Sequence, residues 1–344
     1  MKYAIPRDEN TGWGVLGTNL ERALNGLEDI PNSIVLHAIN GASYEQHVPF
    51  LRGSRVNAAI MFFEDVQEAR NNAHKAKDFD IIFYGSSWNA RVARGFGLTN
   101  GAFAVQGVNH NIFRPIPEHQ SNHGRFTIGN FAKAEFRKST DVYIKVFAEF
   151  QKRHSDVWLS LGWYNNWPVL VDTLRVSPHI RYVDGATVME TLRKTCEANG
   201  IDMDRTMLHP SIGHQYMADL HRECDIEVYV GRAESGNLPA MEAMACGVPL
   251  VAMCETGMSD ILFPGAYFSV SSVVSDWDKS PQYEGWREPF YEDLLGQMEL
   301  AYGNREQRVE IGENGRKWLK RFTWEAMATT IRNAVVKRLT ARAA

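Results

Sequence analysis

Short apolar runs alternate with stretches of helical periodicity along this chain. In its first part, Tyr3–Pro6, Ser33–Ile39, Val56–Phe63, Asp80–Ser86 and Ala102–Val108 read as strands. Between them, Thr18–Leu27 and Asn89–Arg94 read as helices. Strand, helix, strand at this pitch predicts a parallel sheet with crossover helices. The pattern breaks at Asn109–Arg125, where Pro115, Pro117 and several His and Asn residues leave few apolar positions, as in a linker. It then restarts with a strand at Arg125–Gly129 and a helix at Val142–Arg153, which carries Val142, Val146, Phe147 and Phe150 on one stripe. Further strands are expected at Val157–Gly162, Ile180–Val183, Thr206–His209, Ile226–Val230 and Pro249–Cys254, with a helix at Val188–Asn199.

The chain has 344 residues, which fits two domains better than one core. The expected architecture is α/β, with two doubly wound domains in tandem that face a cleft. Ligands of open α/β sheets sit beyond the carboxyl ends of the strands. That geometry alone names no chemistry.

Charge narrows the partners. There are 37 Lys and Arg against 41 Asp and Glu, for a net charge of −4. A protein that grips nucleic-acid backbones usually carries a basic excess, so the balance argues against that class. The four cysteines form no C-x-x-C pair, the first residues lack the apolar core of a signal peptide, and no apolar stretch is long enough for a transmembrane segment. A cytoplasmic protein with reduced thiols is expected.

The most informative stretch is Glu234-Ser235-Gly236-Asn237-Leu238-Pro239-Ala240-Met241-Glu242-Ala243-Met244-Ala245-Cys246-Gly247-Val248-Pro249. A strand runs into a loop, Pro239 sits where a first helical turn accepts it, and Gly247 is a natural helix stop. The amides of Gly236, Asn237 and Leu238 then lie at a helix N-terminus beyond a strand end, a place that binds anions. Glu234 and Glu242 flank it. Amides for a diphosphate and carboxylates for sugar hydroxyls suit a sugar nucleotide. Either glutamate alone would pass for a surface loop residue or an ordinary first-turn Glu.

This run resembles the E-x7-E segment of glycosyltransferase family 4, E-G-x-G-L-P-x-x-E-A-M-A-x-G-x-P-V-V-A. The likeness extends to Gly107-Val108-Asn109-His110-Asn111-Ile112-Phe113-Arg114-Pro115, similar to an interdomain N-G-V-D-x-x-x-F-x-P. It also takes in Ser86-Ser87-Trp88-Asn89, Phe322-Thr323-Trp324-Glu325 and the turn Gly12-Trp13-Gly14. The resemblance implies a GT-B fold: residues 1–115 as an acceptor-side Rossmann-like domain, 116–321 as the nucleotide-sugar domain, and 322–344 as a helix returning to the first domain. It implies a retaining, metal-independent glycosyltransferase that takes a UDP- or GDP-linked sugar as substrate and needs no cofactor. The acceptor could be a glycan, a lipid, a small molecule or modified DNA.

Roles carry over residue by residue. Glu242 would hold the ribose hydroxyls, Glu234 would sit by the transferred sugar, and the amides of Gly236, Asn237 and Leu238 would contact sugar and diphosphate. The family's basic pair, G-R-x(n)-K-G, clamps the diphosphate. Lys138 matches its lysine, but Asn130 stands at the arginine position, leaving Arg137 or Lys133 to supply that charge. Gly12 and Gly14 would let backbone approach phosphate or acceptor. The family's histidine near the transferred sugar has no clear match. His37 is the nearest candidate, although a lone histidine at a strand end is more often structural, and Glu64 is a second acceptor-side candidate. No metal-ligand spacing is present. Two rival readings are a phage-type DNA glycosyltransferase acting on hydroxymethylated bases and a non-catalytic sugar-nucleotide-binding protein. Closure of the domains about Asn109–Arg125 and Phe322 is expected to accompany donor binding.

Overall fold

The alternating apolar runs build two parallel sheets. The computed structural model describes residues 1–8, 11–28, 30–48, 56–116, 124–165, 167–275, 277 and 280–343. Among these residues the first sheet holds β1 (Lys2–Ala4), β2 (Ile34–Ile39), β3 (Val56–Met61), β4 (Ile81–Tyr84) and β5 (Gly101–Phe103), side by side in sequence order and all parallel. Every residue of β2 is buried, as a parallel strand covered on both faces requires. Leu16, Leu20 and Leu24 of α1 (Gly12–Asn25) cluster with Leu36, Ala58 and Ile60. Helices α2 (Val66–Asn72) and α3 (Ser87–Gly95) cover the opposite side, where Ala69 and Ala93 join Ile39, Ala59, Met61 and Tyr84.

The second sheet holds β6 (Phe126–Asn130), β7 (Val157–Leu161), β8 (Thr206–Leu208), β9 (Ile226–Tyr229), β10 (Leu250–Ala252) and β11 (Phe268–Ser269), in the order β11-β10-β9-β6-β7-β8. The chain moves outward from β6 to β8, then returns to the other side of β6 with β9. This reversal leaves a crevice at the carboxyl ends of β6 and β9, which pair directly. Around the sheet lie α4 (Thr140–Arg153), α5 (Pro168–Val171), α6 (Val188–Ala198), α7 (His214–Arg222), α8 (Leu238–Cys246), α9 (Tyr291–Gly303) and α10 (Arg305–Leu319). The expected stripe Val142, Val146, Phe147 and Phe150 is buried on α4. The final helix, α11 (Trp324–Ala343), crosses back so that Met327, Ala328, Ile331 and Val335 share a core with Leu16 and Leu20 of α1. No helix among the described residues is long and apolar enough to cross a membrane.

Two expected strands differ. Ile180–Val183 is not a strand, because its backbone is taken up by side chains at α6: Val183 N donates to Thr195 Oγ1 (3.1 Å) and Arg181 N to Asn199 Oδ1 (2.8 Å). The strand expected over Ala102–Val108 stops at Phe103, and Val108 N donates instead to Phe322 O at 3.0 Å. The chain thus crosses between domains twice at one place. Of the expected linker Asn109–Arg125, residues 117–123 lie outside the described residues. Its first part docks on α7, where Arg222 Nη2 donates to Ile112 O and Nε to Arg114 O.

An antiparallel hairpin of β12 (Ser272–Val274) and β13 (Arg287–Pro289) reaches from the second domain to the first. Trp286 Nε1, just before β13, donates to Glu64 O at 2.8 Å. Ser235 Oγ accepts from Phe63 N (2.7 Å) and bonds Asn89 Oδ1, and Ser87 Oγ donates to Asp260 Oδ1 (2.6 Å). These contacts hold the two domains against the same cleft.

Candidate active site

A cavity of about 430 Å³ opens at the β6–β9 crevice and is roofed by the first domain. The loop after β6 contributes Phe131, Lys133, Arg137 and Lys138. The loop after β9 contributes Ser235, Gly236 and Asn237, and the first domain adds Gly12, Trp13, Phe62, Glu64 and Gln106.

Local sequence explains α8. Asn237 caps it, its Oδ1 accepting from Ala240 N at 3.1 Å. Pro239 occupies the first turn, and Gly247 ends the helix at φ +84°, a left-handed conformation that suits glycine. Gly236, Asn237 and Leu238 line the cleft at this N-terminus, so the positive end of the helix faces the cavity.

Lys138 Nζ lies 2.5 Å from Glu234 Oε2. Arg137 Nη1 stands 3.5 Å from the same oxygen and 3.4 Å from Glu64 Oε1, while Nη2 donates to Glu135 Oε1 at 2.5 Å. Glu234 is buried beneath this pair, and Asn237 Nδ2 donates to its Oε1 at 3.2 Å. Lys138 and Arg137 therefore form the cleft wall while Glu234 stands behind them; it does not itself line the cavity. Burial pushes the Glu135 carboxyl up, but the charges of Arg137, Lys133 and Lys138 outweigh it and hold the group below the usual range. Burial pushes the Lys133 ammonium down, against the pull of Glu135. Two non-glycine residues with positive φ sit beside this cluster, Ser139 (φ 60°) and Thr256 (φ 50°). Thr256 Oγ1 accepts from Glu234 N at 3.0 Å, so backbone strain is stored where the carboxylate is fixed.

Glu242 lies one turn into α8 and is 2% exposed. His214 Nε2 sits 2.6 Å from its Oε1, and His221 Nε2 sits 3.6 Å from its Oε2. Burial raises the Glu242 carboxyl, but the hydrogen bonds and charge of the two histidines outweigh it and keep the group below the usual range.

The remaining expected residues separate. Asn130 is buried and bridges β6 to β9, its Nδ2 donating to Val228 O at 2.6 Å while its Oδ1 accepts from Trp163 Nε1. It cannot take a ligand, and cationic charge at this wall comes from Arg137, Lys138 and Lys133. Gly12 lines the cleft, and a Cβ there would meet nothing within 4 Å. Gly14 faces inward: a Cβ would stand 1.3 Å from Asp8 O, so its place is set by packing against the preceding loop rather than by the cavity. Glu64 lines the cleft and accepts from Ser235 N at 3.2 Å. His37 does not line the cleft. It lies fully buried in β2, edge-on to Phe79, and burial pushes its imidazole down. It stands in the middle of a strand whose residues are all buried, so its ring belongs to the core. The sequence reading missed His214, His221 and Glu227; the signal available was a charged residue, Glu227, inside an otherwise apolar strand. Among the described residues no group of three or more His, Cys, Asp or Glu could hold a metal ion.

Comparison with known proteins places this geometry. The chain is 30% identical over 128 residues to a D-inositol 3-phosphate glycosyltransferase of Xylanimonas cellulosilytica, covering 37% of this chain and 27% of that protein. It is 27% identical over 116 residues to an uncharacterized glycosyltransferase of Methanocaldococcus jannaschii, covering 34% and 29%. The matched segment thus spans under a third of these curated relatives. Among solved structures, the sucrose-phosphate synthase of Thermosynechococcus elongatus superposes with a TM-score of 0.65 at 16% identity, over 90% of this chain and 74% of that one. Anabaena HepE, in complex with UDP and glucose, superposes with a TM-score of 0.65 at 12% identity, over 97% and 85%. These likenesses show the GT-B fold. The model of the family described as glycosyl transferases group 1 matches residues 113–318, more than half of the chain. With that match spanning the whole cleft wall from β6 to α8, the chain belongs to the glycosyl transferases group 1 family.

Proposed function

We propose that this protein is a retaining, metal-independent glycosyltransferase that moves a sugar from a nucleoside-diphosphate donor to a hydroxyl acceptor. One observation carries the reading: Lys138 and the N-terminus of α8 flank the same crevice, with Glu242 set deeper beside them. On this reading the two phosphates lie between cation and amides and the ribose hydroxyls lie at Glu242. UDP-glucose is the first donor to test, since HepE of the same fold is known in complex with UDP-glucose.

In the reaction, the bond from the anomeric carbon to the β-phosphate oxygen breaks and one to the acceptor oxygen forms on the same face. The acceptor's proton passes to the leaving diphosphate. As that diphosphate gains charge, Lys138, Arg137 and the α8 amides stabilise it more than they stabilise the bound donor. Fixed groups need no reorganisation for this. Glu234 aims Lys138 and Asn237, and the first domain presents the acceptor beside Glu64 and Gly12.

The experiment is calorimetric titration of UDP, UDP-glucose, UDP-GlcNAc and GDP-mannose, with and without EDTA, into wild type and Glu242→Ala. Donor turnover is then followed by NMR of the anomeric proton. Binding of one nucleotide, insensitive to EDTA and lost in the variant, with a product of unchanged anomeric configuration, is the expected result. An inverted product, or activity abolished by EDTA, would overturn the corresponding part.

A further inference from the structure

Beneath the cleft floor lies a buried acid–imidazole array that the proposed transfer does not use directly. His221 and Glu227 are both fully buried, with His221 Nδ1 2.7 Å from Glu227 Oε1. Tyr229 Oη donates to the other oxygen of Glu227 at 2.7 Å. Among the described residues the second ring nitrogen of His221 has no partner within hydrogen-bond distance, and Glu242 Oε2 stands 3.6 Å away, at ion-pair distance. The ring is walled by Phe131 (centroids 5.1 Å apart) and Phe113 (6.0 Å). Glu242 is thus approached from two sides: by His214 from the cleft wall and by His221 from the core.

A carboxylate this deeply buried would take up a proton unless a cation stood by it. Protonated, it would present an O–H donor in place of one of its acceptor sites. Replacing both partners of a buried ion pair with apolar groups often leaves stability unchanged or raised, so the fold alone gives no reason for His221 and Glu227. We propose that His221, held by Glu227, is a positioning residue for the donor: it is the permanent counter-charge behind Glu242, which keeps that carboxylate ionised and turned toward the ribose while His214 in front yields to the sugar hydroxyls. This rests on the reading of Glu242 as the ribose ligand.

Other titratable groups near the ring are few. Among the described residues, Glu227 of β9 and Glu242 of α8 pair with the ring; beyond them lie Tyr229 on Glu227, Cys246 of α8, His214, Arg222 and Cys224 of α7 and its end, and His209 across Phe131. Only His214 among these is a second cation for Glu242. With His221 gone, Glu242 would keep only the histidine at the cleft wall as its cation, and imidazole is the side chain whose charge ordinarily changes near neutral pH.

The test is a His221→Leu/Glu227→Met double variant, titrated with whichever of UDP and GDP the wild type binds, from pH 6 to 8.5. Expected are a folded protein by near-ultraviolet circular dichroism, at least about tenfold weaker binding at pH 7.5, and affinity that falls as pH rises, against a flatter wild-type profile. In parallel, imidazole ¹⁵N spectra of wild type should show His221 as an imidazolium at pH 7.5, with signals that shift when nucleotide is added. A folded double variant with wild-type affinity and profile overturns the inference, as does a neutral His221 ring; the spectra decide the matter even where the variant does not fold. Glu242→Ala separates the two levels. If it binds nucleotide like wild type, the donor-site reading falls and this inference with it. If it loses binding while the double variant does not, only this inference falls.

Discussion

Lys138 and Glu234, brought together from loops after neighbouring strands, meet at 2.5 Å in the cleft wall, with the lysine in front and the carboxylate behind. The pairing follows from topology. β6 and β9 are adjacent only because the strand order reverses there, so the loops that leave them converge. Glu234 is then a fixed anchor for a cation that faces the proposed diphosphate site.

Lys138→Ala should therefore lower turnover far more than donor affinity. Loss of one preorganised stabiliser of transition-state charge costs on the order of 10²–10³ in kcat. Steady-state kinetics with varied donor measures the split. A variant whose KM rises while kcat holds would place Lys138 in ground-state binding alone.

Glu242→Ala removes a charged acceptor and also strands His214 and His221 without their shared carboxylate. A hydrogen bond to a charged group contributes about 1.5–3 kcal/mol, so nucleotide affinity should fall by roughly 10- to 100-fold. Calorimetry with the free nucleoside diphosphate reads this without the transferred sugar. An unchanged Kd would contradict the assignment.

The helix at the heart of the site was legible because its signals are local: Asn237, Pro239 and Gly247 each act on backbone within about one helical turn. The strands were legible as apolar runs, although their ends were not. Val108 leaves the sheet for a carbonyl at Phe322, far along the chain, and no nearby residue announces it. The same holds for the site. Lys138 could be found by its likeness to the family's basic pair, but that Glu234 lies beneath it depends on two loops meeting in space. His37 was ambiguous for the opposite reason. In a strand buried on both faces, sequence does not tell a core histidine from one at a cleft. Glu227 and His221 are six residues apart, yet helix end and strand must fold against each other before they pair.

The glycine turn separates packing from access. A methyl group at Gly14 would overlap the Asp8 carbonyl, whereas one at Gly12 meets open space. Gly14→Ala should destabilise by about 1–3 kcal/mol or more, since α1 must move off its loop. Gly12→Ala should leave the melting temperature nearly unchanged and alter only ligand affinity. Thermal unfolding of the two variants side by side makes the comparison; equal losses would show that the turn tolerates neither for reasons of backbone conformation.

The buried array also sets a pH signature. Burial pushes the His221 imidazole down, but Glu227 and Glu242 outweigh it, raising the ring from the ordinary 6.5 to about 9. A raised group stabilises the folded state fully below the ordinary value and loses that contribution as pH climbs through the raised one. Glu242 runs the other way. Held below the ordinary 4.5, it contributes above that value and loses its contribution as pH falls. The array is therefore most stabilising from about pH 4.5 to 6.5, and Tm should decline as pH rises from 6.5 to 9. Cys224 and Tyr229, neighbours of Glu227, are pushed upward by burial and stay neutral across this window, so they do not mask the slope. In His221→Leu/Glu227→Met the decline over that interval should shrink, because the titrating ring and its partner are gone. Parallel slopes in wild type and variant would mean that the pH response belongs to other groups and that His221 is already neutral in the folded chain.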